Sequence, residues 1–351
     1  MSRSVRFLKA MRLEQSDCTP VWFMRQAGRY MAEYRRIREK HGLLEMFKTP
    51  EIAAEVTLQP VHALAVDAAI IFADILLPLE AMGLELEFVE GEGPILRNPV
   101  RNRTEAEALR IPDPEESLGY VLESLRLVRR ELDGKVPLIG FAGAPFTLAG
   151  YAIEGGGSRS FIRTKRLMYE QRETWELLMG RITEAVTAYL LKQAAAGAQV
   201  VQLFDSWVGC LSPADYRQYV QPYSQAIFRR LAQDGIPAIH FGTGTGDLLP
   251  LMSEAGGDVI GADWRTWIDE AWARTGTGRG IQGNLDPVVL LAPWPVVEKK
   301  ACEIVDRVQG RSGHIFNLGH GILPQTPVDT VRRLADLIHE RTHKRDSHQC
   351  P

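Results

Sequence analysis

ITEAVTAYLLKQAAAGAQVVQLFDS, residues 182–206, decides the fold class. Its first half sets Ile182, Val186, Tyr189 and Leu190 at i, i+4, i+7 and i+8, one apolar stripe of a helix, and Gly197 stands where such a helix ends. Its second half, Val200 to Phe204, is a short and mostly apolar run, the pattern of a strand buried on both faces of a parallel sheet. The polar pair Asp205-Ser206 follows at once. Helix, buried strand and polar loop form the repeating unit of an α/β fold.

The same cadence runs along the chain. Besides Val200 to Phe204, apolar runs occupy Val21 to Phe23, Ala68 to Ala73, Pro137 to Ala142, Pro237 to Phe241, Asp258 to Ala262, Gly280 to Gln282 and His314 to Leu318. Gly235, Gly256 and Gly310 punctuate later helices. Helix starts carry a cap residue and then proline, at Thr49-Pro50, Ser212-Pro213, Asp286-Pro287 and Thr326-Pro327, with Glu51, Asp215 and Asp329 where the helix dipole favours an acid. Eight strand-then-helix units without a break in composition predict one closed (β/α)8 TIM barrel over residues 1–351, its core at about 18–340, rather than an open doubly wound sheet. The connection from Ala73 to Pro137 is too long for one helix. Leu84 to Val89, Gly91-Glu92-Gly93-Pro94 and Ile95-Leu96 predict a hairpin inserted there after the second strand.

Composition narrows the function. Hydrophobic residues make up 45% and charged residues 24% of the 351, values of a globular chain rather than a disordered or fibrous one. A net charge of −3 supplies no global field for nucleic acid or an anionic membrane, so an anionic ligand must meet a local basic cluster. Cys18, Cys210, Cys302 and Cys350 form no CxxC pair, which argues against a zinc ribbon or a disulfide framework and for a reducing compartment. Met1 to Arg12 mixes Arg3, Arg6, Lys9 and Arg12 among its apolar residues and lacks the continuous apolar core of a secretory signal. No apolar run approaches the ~20 residues that cross a bilayer. The expected address is the cytoplasm. His343, His348 and Cys350 in the tail read as a frayed terminus rather than a metal site.

In such a barrel chemistry sits on the loops after the strands. After the first run, Met24-Arg25-Gln26-Ala27-Gly28-Arg29-Tyr30 places two arginines four apart around a glycine that admits a ligand close to the backbone; two planar forks suit carboxylates or phosphates. After the second, Asp74 follows Ile70-Ile71-Phe72-Ala73. A carboxylate at that apolar rim either pairs with an arginine or waits for donors on a ligand, and the residue alone does not decide. The third loop, Gly140 to Tyr151 with Gly155-Gly156-Gly157-Ser158, has the glycine density of a tight, mobile lid, and Tyr151 offers a ring wall with a phenolic donor. Ser206 has no histidine and acid at hydrolase spacing and reads as a hydrogen-bond donor. His240 precedes Gly242-Thr243-Gly244-Thr245-Gly246, which lacks the phosphate-loop lysine and reads as a turn. Asp263 and Asn284 read as supports that orient neighbours. Asn317-Leu318-Gly319-His320-Gly321 sets a histidine between glycines, beside the first strand once the barrel closes.

Pro20 to Tyr30, PVWFMRQAGRY, and Gly140 to Tyr151, GFAGAPFTLAGY, resemble the two signature segments of the uroporphyrinogen decarboxylase family. Ile71 to Leu76, Gln202 to Ser206 and Asn317 to Gly321 resemble family segments in the same order, so the resemblance covers all but the termini. It implies a homodimeric (β/α)8 barrel that converts uroporphyrinogen III to coproporphyrinogen III by removing four acetate carboxyls, with no metal and no organic cofactor. It implies that Asp74 accepts the pyrrole N–H groups and stabilises the transition state. It implies Arg29 and Arg25 as catalytic residues beside Asp74; both would hold carboxylates, and the group that protonates the ring stays open. Gln26, Ala27 and Gly28 would shape the wall, and Tyr151, Ser206 and His320 contact substrate.

The rival is the zinc-dependent cobalamin and thiol methyltransferase branch of the same superfamily. That branch carries a His-x-Cys segment where this chain reads His240-Phe241-Gly242, and Cys210 and Cys302 have no partners at ligand spacing. A non-catalytic porphyrin-binding protein would keep the arginines without needing Asp74.

Overall fold

Seven of the eight apolar runs become strands of one curled, parallel sheet among the residues that the computed structural model describes, 1–89, 91–132 and 134–343. They are β1 (Ala69–Ile70), β4 (Leu138–Gly143), β5 (Val200–Asp205), β6 (Ala238–Gly242), β7 (Val259–Gly261), β8 (Gly280–Leu285) and β9 (His314–Leu318). Between the first two of these, β2 (Leu86–Val89) and β3 (Gly93–Leu96) pair antiparallel in a separate sheet, Leu86 opposite Leu96. The seven parallel strands follow one another in space as in sequence. Every residue of β4, β6, β7, β8 and β9 is buried, as continuous apolar runs between two covered faces require. His348 and Cys350 lie outside the described residues.

The first run is the exception. Val21 makes a single parallel bridge to Phe316 of β9, and no regular strand follows, because side chains intercept the donors that a neighbouring strand would need. Asp67 accepts the Val21 N–H (2.8 Å), Gln26 Oε1 that of Phe23 (3.0 Å) and Asn317 Oδ1 that of Met24 (3.0 Å). On its other flank Val21 O accepts from Asp67 N–H (2.7 Å), so the segment still lies between β9 and the approach to β1. Inside, Trp22 Nε1 donates to Gln282 and Gln282 donates to Gln202, which explains two glutamines in otherwise apolar runs.

The helix of Arg172–Ala195 buries Ile182, Val186, Tyr189 and Leu190, and Gly197 leaves it at φ +119°. Two of the four anticipated caps are made. Ser212 accepts from Asp215 N–H, and Asp286 accepts from Val288 N–H at the head of a 3₁₀ turn. Thr49 instead donates its hydroxyl to Glu45 O in the preceding helix, and the last helix begins at Val328, past Thr326, whose buried hydroxyl has no partner among the described residues. At the opposite end from the loops, Asp67 is fully buried and binds Arg6 (2.7 Å) from the helix Arg3–Met11 and His339 (2.6 Å) from the helix Val328–Thr342. One contiguous apolar core, from Phe7 to Ile338, includes residues of every strand of the large sheet. No helix of the described residues is long and apolar enough to cross a membrane.

Candidate active site at the strand ends

The loop after Val21 to Phe23 is stapled to the loop after β9. Met24 donates to Asn317 Oδ1 and accepts from Ile322 N–H (2.8 Å). Beside that staple Arg25 adopts φ +61°, a left-handed conformation that costs a non-glycine residue about 1–2 kcal/mol. The strain aims an exposed guanidinium across Gly321, where a Cβ would lie 2.7 Å from Arg25 Cγ and 3.1 Å from its Cβ. Gln26 is turned inward and fully buried: its amide donates to Ala68 O (2.9 Å) and its oxygen accepts from Phe23 N–H. Its side chain therefore braces the loop, and only its backbone remains for a ligand. Ala27 and Gly28 are half-buried, Arg29 is exposed, and the Tyr30 hydroxyl ties the loop by donating to Gln26 O (2.8 Å).

Phe72, Ala73, Asp74 and Ile75 emerge half-buried after β1. Among the described residues the Asp74 carboxylate has one hydrogen-bond donor, Leu76 N–H at 2.9 Å, and no ion pair. It is thus not tied to an arginine, one of the two alternatives its sequence position leaves. Burial pushes its pKa above the ordinary carboxylate range, while the Leu76 amide and the Arg25 charge oppose the rise. Tyr151 feels the same two charges; burial and Asp74 raise its phenol, and Arg25 lowers it. His320 is pushed down to about 4 by burial and by Arg25, with Asp263 opposing and Arg265 adding to the shift. At neutral pH it is an uncharged imidazole.

The glycine-rich third loop is no lid. Gly140 and Gly143 lie within β4, and residues Pro145–Glu154 form a helix that ends at Gly155 with φ +84°. Glycine serves close packing there: a Cβ at Gly143 would sit 2.7 Å from Leu148 Cδ2, and one at Gly150 3.1 Å from the Trp207 ring. That ring stacks on Tyr151, centroids 3.8 Å apart and planes 29° apart. Ser206 is half-buried on the same β5 loop, which the Thr243 hydroxyl binds by donating to Ser206 O. After Gly242 closes β6, Thr243 to Gly246 form a turn, with Gly244 at φ +66°. Asp263 accepts from Gly244 N–H (2.6 Å) and pairs with Arg265, while Asn284 donates to Asp263 O and Thr266 O, both at 2.7 Å.

Asp74, Tyr151 and His320 therefore meet within electrostatic reach of Arg25, and the same loops carry the half-buried apolar side chains of Ala27, Phe72, Ile75 and Trp207. Arg29 is exposed, and its charge reaches Tyr34, whose ring is edge-on to Phe72 at 5.7 Å. Trp207 escapes a reading of the sequence, although it follows Ser206, while Asn317 and Gly321 lie in a segment the sequence singles out for His320 and gain their roles only from the structure. His240 is fully buried beside Phe228 and Met252, away from solvent, and burial lowers it to about 4.

The family model described as uroporphyrinogen decarboxylase (URO-D) matches residues 2–341. A uroporphyrinogen decarboxylase of Sorangium cellulosum is 60% identical over 334 residues, 95% of each chain. One of Roseiflexus sp. is 57% identical over 340 residues, 95% of this chain and 98% of its own. Among solved structures, a methyltransferase from Methanosarcina mazei superposes with a TM-score of 0.83 over 97% of this chain and 99% of that one; at 20% identity the likeness is one of fold. Sequence identity above one half, sustained from end to end of the chain, makes it a member of the uroporphyrinogen decarboxylase family.

Proposed function

We propose that this chain decarboxylates uroporphyrinogen III at its four acetate side chains, giving coproporphyrinogen III and carbon dioxide. The observation that carries the reading is Asp74, a half-buried carboxylate that has no ion pair among the described residues, stands beside half-buried apolar side chains and feels the charge of Arg25. A macrocycle with carboxylates at its edge and four pyrrole N–H groups at its centre complements that arrangement. Arg25 and Arg29 hold edge carboxylates, Asp74 accepts the central N–H groups, and Tyr151, Ser206 and His320 supply uncharged hydrogen-bonding groups around them.

Protonation of the ring carbon next to the one that bears the acetate makes the ring the electron sink. The bond to the carboxylate breaks, its electron pair flows into the ring, and carbon dioxide leaves. The exocyclic carbon then takes a proton to become methyl, and the protonated ring carbon gives up its own, which restores the neutral pyrrole. Asp74 stabilises the cationic ring, a preorganised charge of the kind that dominates many active sites. Low local polarity strengthens that attraction and discourages water from competing for the N–H groups.

The proposal extends to architecture and setting. The segment around Val21 serves as the eighth stave of a closed single-domain barrel, with β2 and β3 as an inserted hairpin, and two copies work as a homodimer in the cytoplasm without a metal or organic cofactor. The methyl-transfer alternative lacks support in the donor set. Among the described residues no three His, Cys, Asp or Glu side chains converge as metal ligands, and Gly242 stands where that branch carries its cysteine. Chelator-treated protein incubated anaerobically with uroporphyrinogen III should yield, after oxidation, porphyrins descending from eight to four carboxylates on chromatography. An untouched octacarboxylate from folded protein would overturn the reading.

A further inference from the structure

We propose that Asp205 is a positioning residue: from the end of β5 it fixes Thr147 and, through Thr147 and Trp207, sets the place of the Tyr151 ring at the substrate site. The proposal rests on the reading of Tyr151 as a substrate contact. Its geometry is a chain of contacts. Thr147 Oγ1 donates to Asp205 Oδ1 (3.0 Å) and accepts from Trp207 N–H (3.3 Å), and the Trp207 ring stacks on Tyr151. Thr147 and Tyr151 are one turn apart on the helix Pro145–Glu154, so one hydroxyl registers both partners of the stack.

That helix needs an outside anchor. Its N-cap is Ala144, which has no side-chain acceptor, and the Thr147 backbone amide also lies against the Asp205 carboxylate. Asp205 thus replaces the missing cap from a neighbouring strand, with its charge where the helix dipole favours it. Gly150 clears the space on the helix surface that the Trp207 ring occupies, and the Phe161 ring packs tilted against the same indole, centroids 5.0 Å apart.

Stability alone does not account for this carboxylate. Asp205 is fully buried, has no ion pair among the described residues, and leaves Oδ2 without a partner. Its neighbours are no better placed to neutralise it: the buried phenol of Tyr216 and the thiol of Cys210 feel its charge, and each is pushed up in part by it. A buried group left half-satisfied is costly to the fold, and an apolar residue would fill the space more cheaply. What the carboxylate supplies, and an apolar residue cannot, is a directional acceptor for Thr147.

The test is a double-mutant cycle on decarboxylation of uroporphyrinogen III. Thr147→Val keeps the shape and removes the hydroxyl; misplacing the Tyr151 ring by a fraction of an ångström should lower kcat/KM about tenfold. Thr147→Ser, which restores the hydroxyl, should recover most of the loss. In a Tyr151→Ala background Thr147→Val should have no further effect, whereas a purely structural role would multiply the two losses. Asp205→Ala breaks the same hydrogen bond from its other end and should reproduce the pattern if Thr147→Val folds poorly. Full activity of Thr147→Val, or losses that multiply in the double variant, overturns the positioning role and leaves the site reading intact. Full activity of Tyr151→Ala removes Tyr151 from the site and overturns both.

Discussion

Gly321→Ala is the sharpest probe of how Arg25 is held. The added Cβ would lie 2.7 Å from Arg25 Cγ, 3.1 Å from its Cβ and closer still to Cδ, whereas ordinary contact begins at 3.4 Å. The stem must therefore retreat by about 0.7 Å at Cγ and by more at the guanidinium, the scale on which misplacement of a reacting group costs about a hundredfold. The backbone cannot share the shift, because Met24 is fastened on both sides, to Asn317 and to Ile322. Arg25 is exposed and can swing into solvent, so stability should fall by less than about 1 kcal/mol. The expected result is a loss of about a hundredfold in kcat/KM, read from the appearance of lower carboxylated porphyrins, with a near-native urea midpoint. NMR titration of His320 supplies an independent reading. Arg25 is one of the influences holding that imidazole near 4, so its pKa should rise in the variant. An active Gly321→Ala enzyme with an unmoved His320 would refute the argument.

Asp74→Asn keeps the shape and removes the charge; turnover should fall about a hundredfold or more while the protein still binds uroporphyrinogen, and unchanged turnover would remove Asp74 from the mechanism. Arg25→Gly should abolish activity yet raise unfolding free energy over Arg25→Ala by about 1 kcal/mol, because only glycine relieves the φ of +61°; equal stabilities on urea titration would show that the conformation is not strained. Acid should weaken the fold. His240 and His314 are buried with pKa values of about 4 against 6.5 when unfolded, so the unfolded chain binds more protons between pH 4 and 6.5 and the stability present above that window is lost as pH falls. Each costs about 2 kcal/mol between pH 7 and 5. His320, at about 4, adds a third such loss, while Asp205, raised to about 7, and Asp74, also raised by burial, run the other way, so urea unfolding should show a net loss on the order of 2 kcal/mol. No loss would mean that these histidines are protonated in the native state.

Local chemistry made much of this molecule readable in advance. Residues 182–206 show the unit because a 3.6-residue stripe and an uninterrupted buried strand are properties of neighbours in sequence, and His314 to Leu318 forms a strand over the very residues its apolar run marks. The same holds for Arg25, Asp74, Tyr151 and His320, each of which follows a run whose end faces the loops. What misled was chemistry that depends on distant partners. Glycine density alone cannot separate a flexible lid from a helix packed tightly on Trp207. Val21 to Phe23 has the composition of a strand, but Asp67, Gln26 and Asn317 claim its donors, and two of these lie tens or hundreds of residues away.

The amino-acid sequence by itself determined the α/β class, the order of the strands and the residues at their ends, because periodicity and burial pattern act over a few positions. Only the tertiary structure decided that Gln26 faces inward, that Asp74 has no counter-ion among the described residues, that Arg25 lies across Gly321 and that Asp205 reaches Tyr151 through Thr147 and Trp207. Those are contacts between loops brought together by the curl of the sheet, and the distance between such loops is set by strand register and helix packing, which no single segment contains.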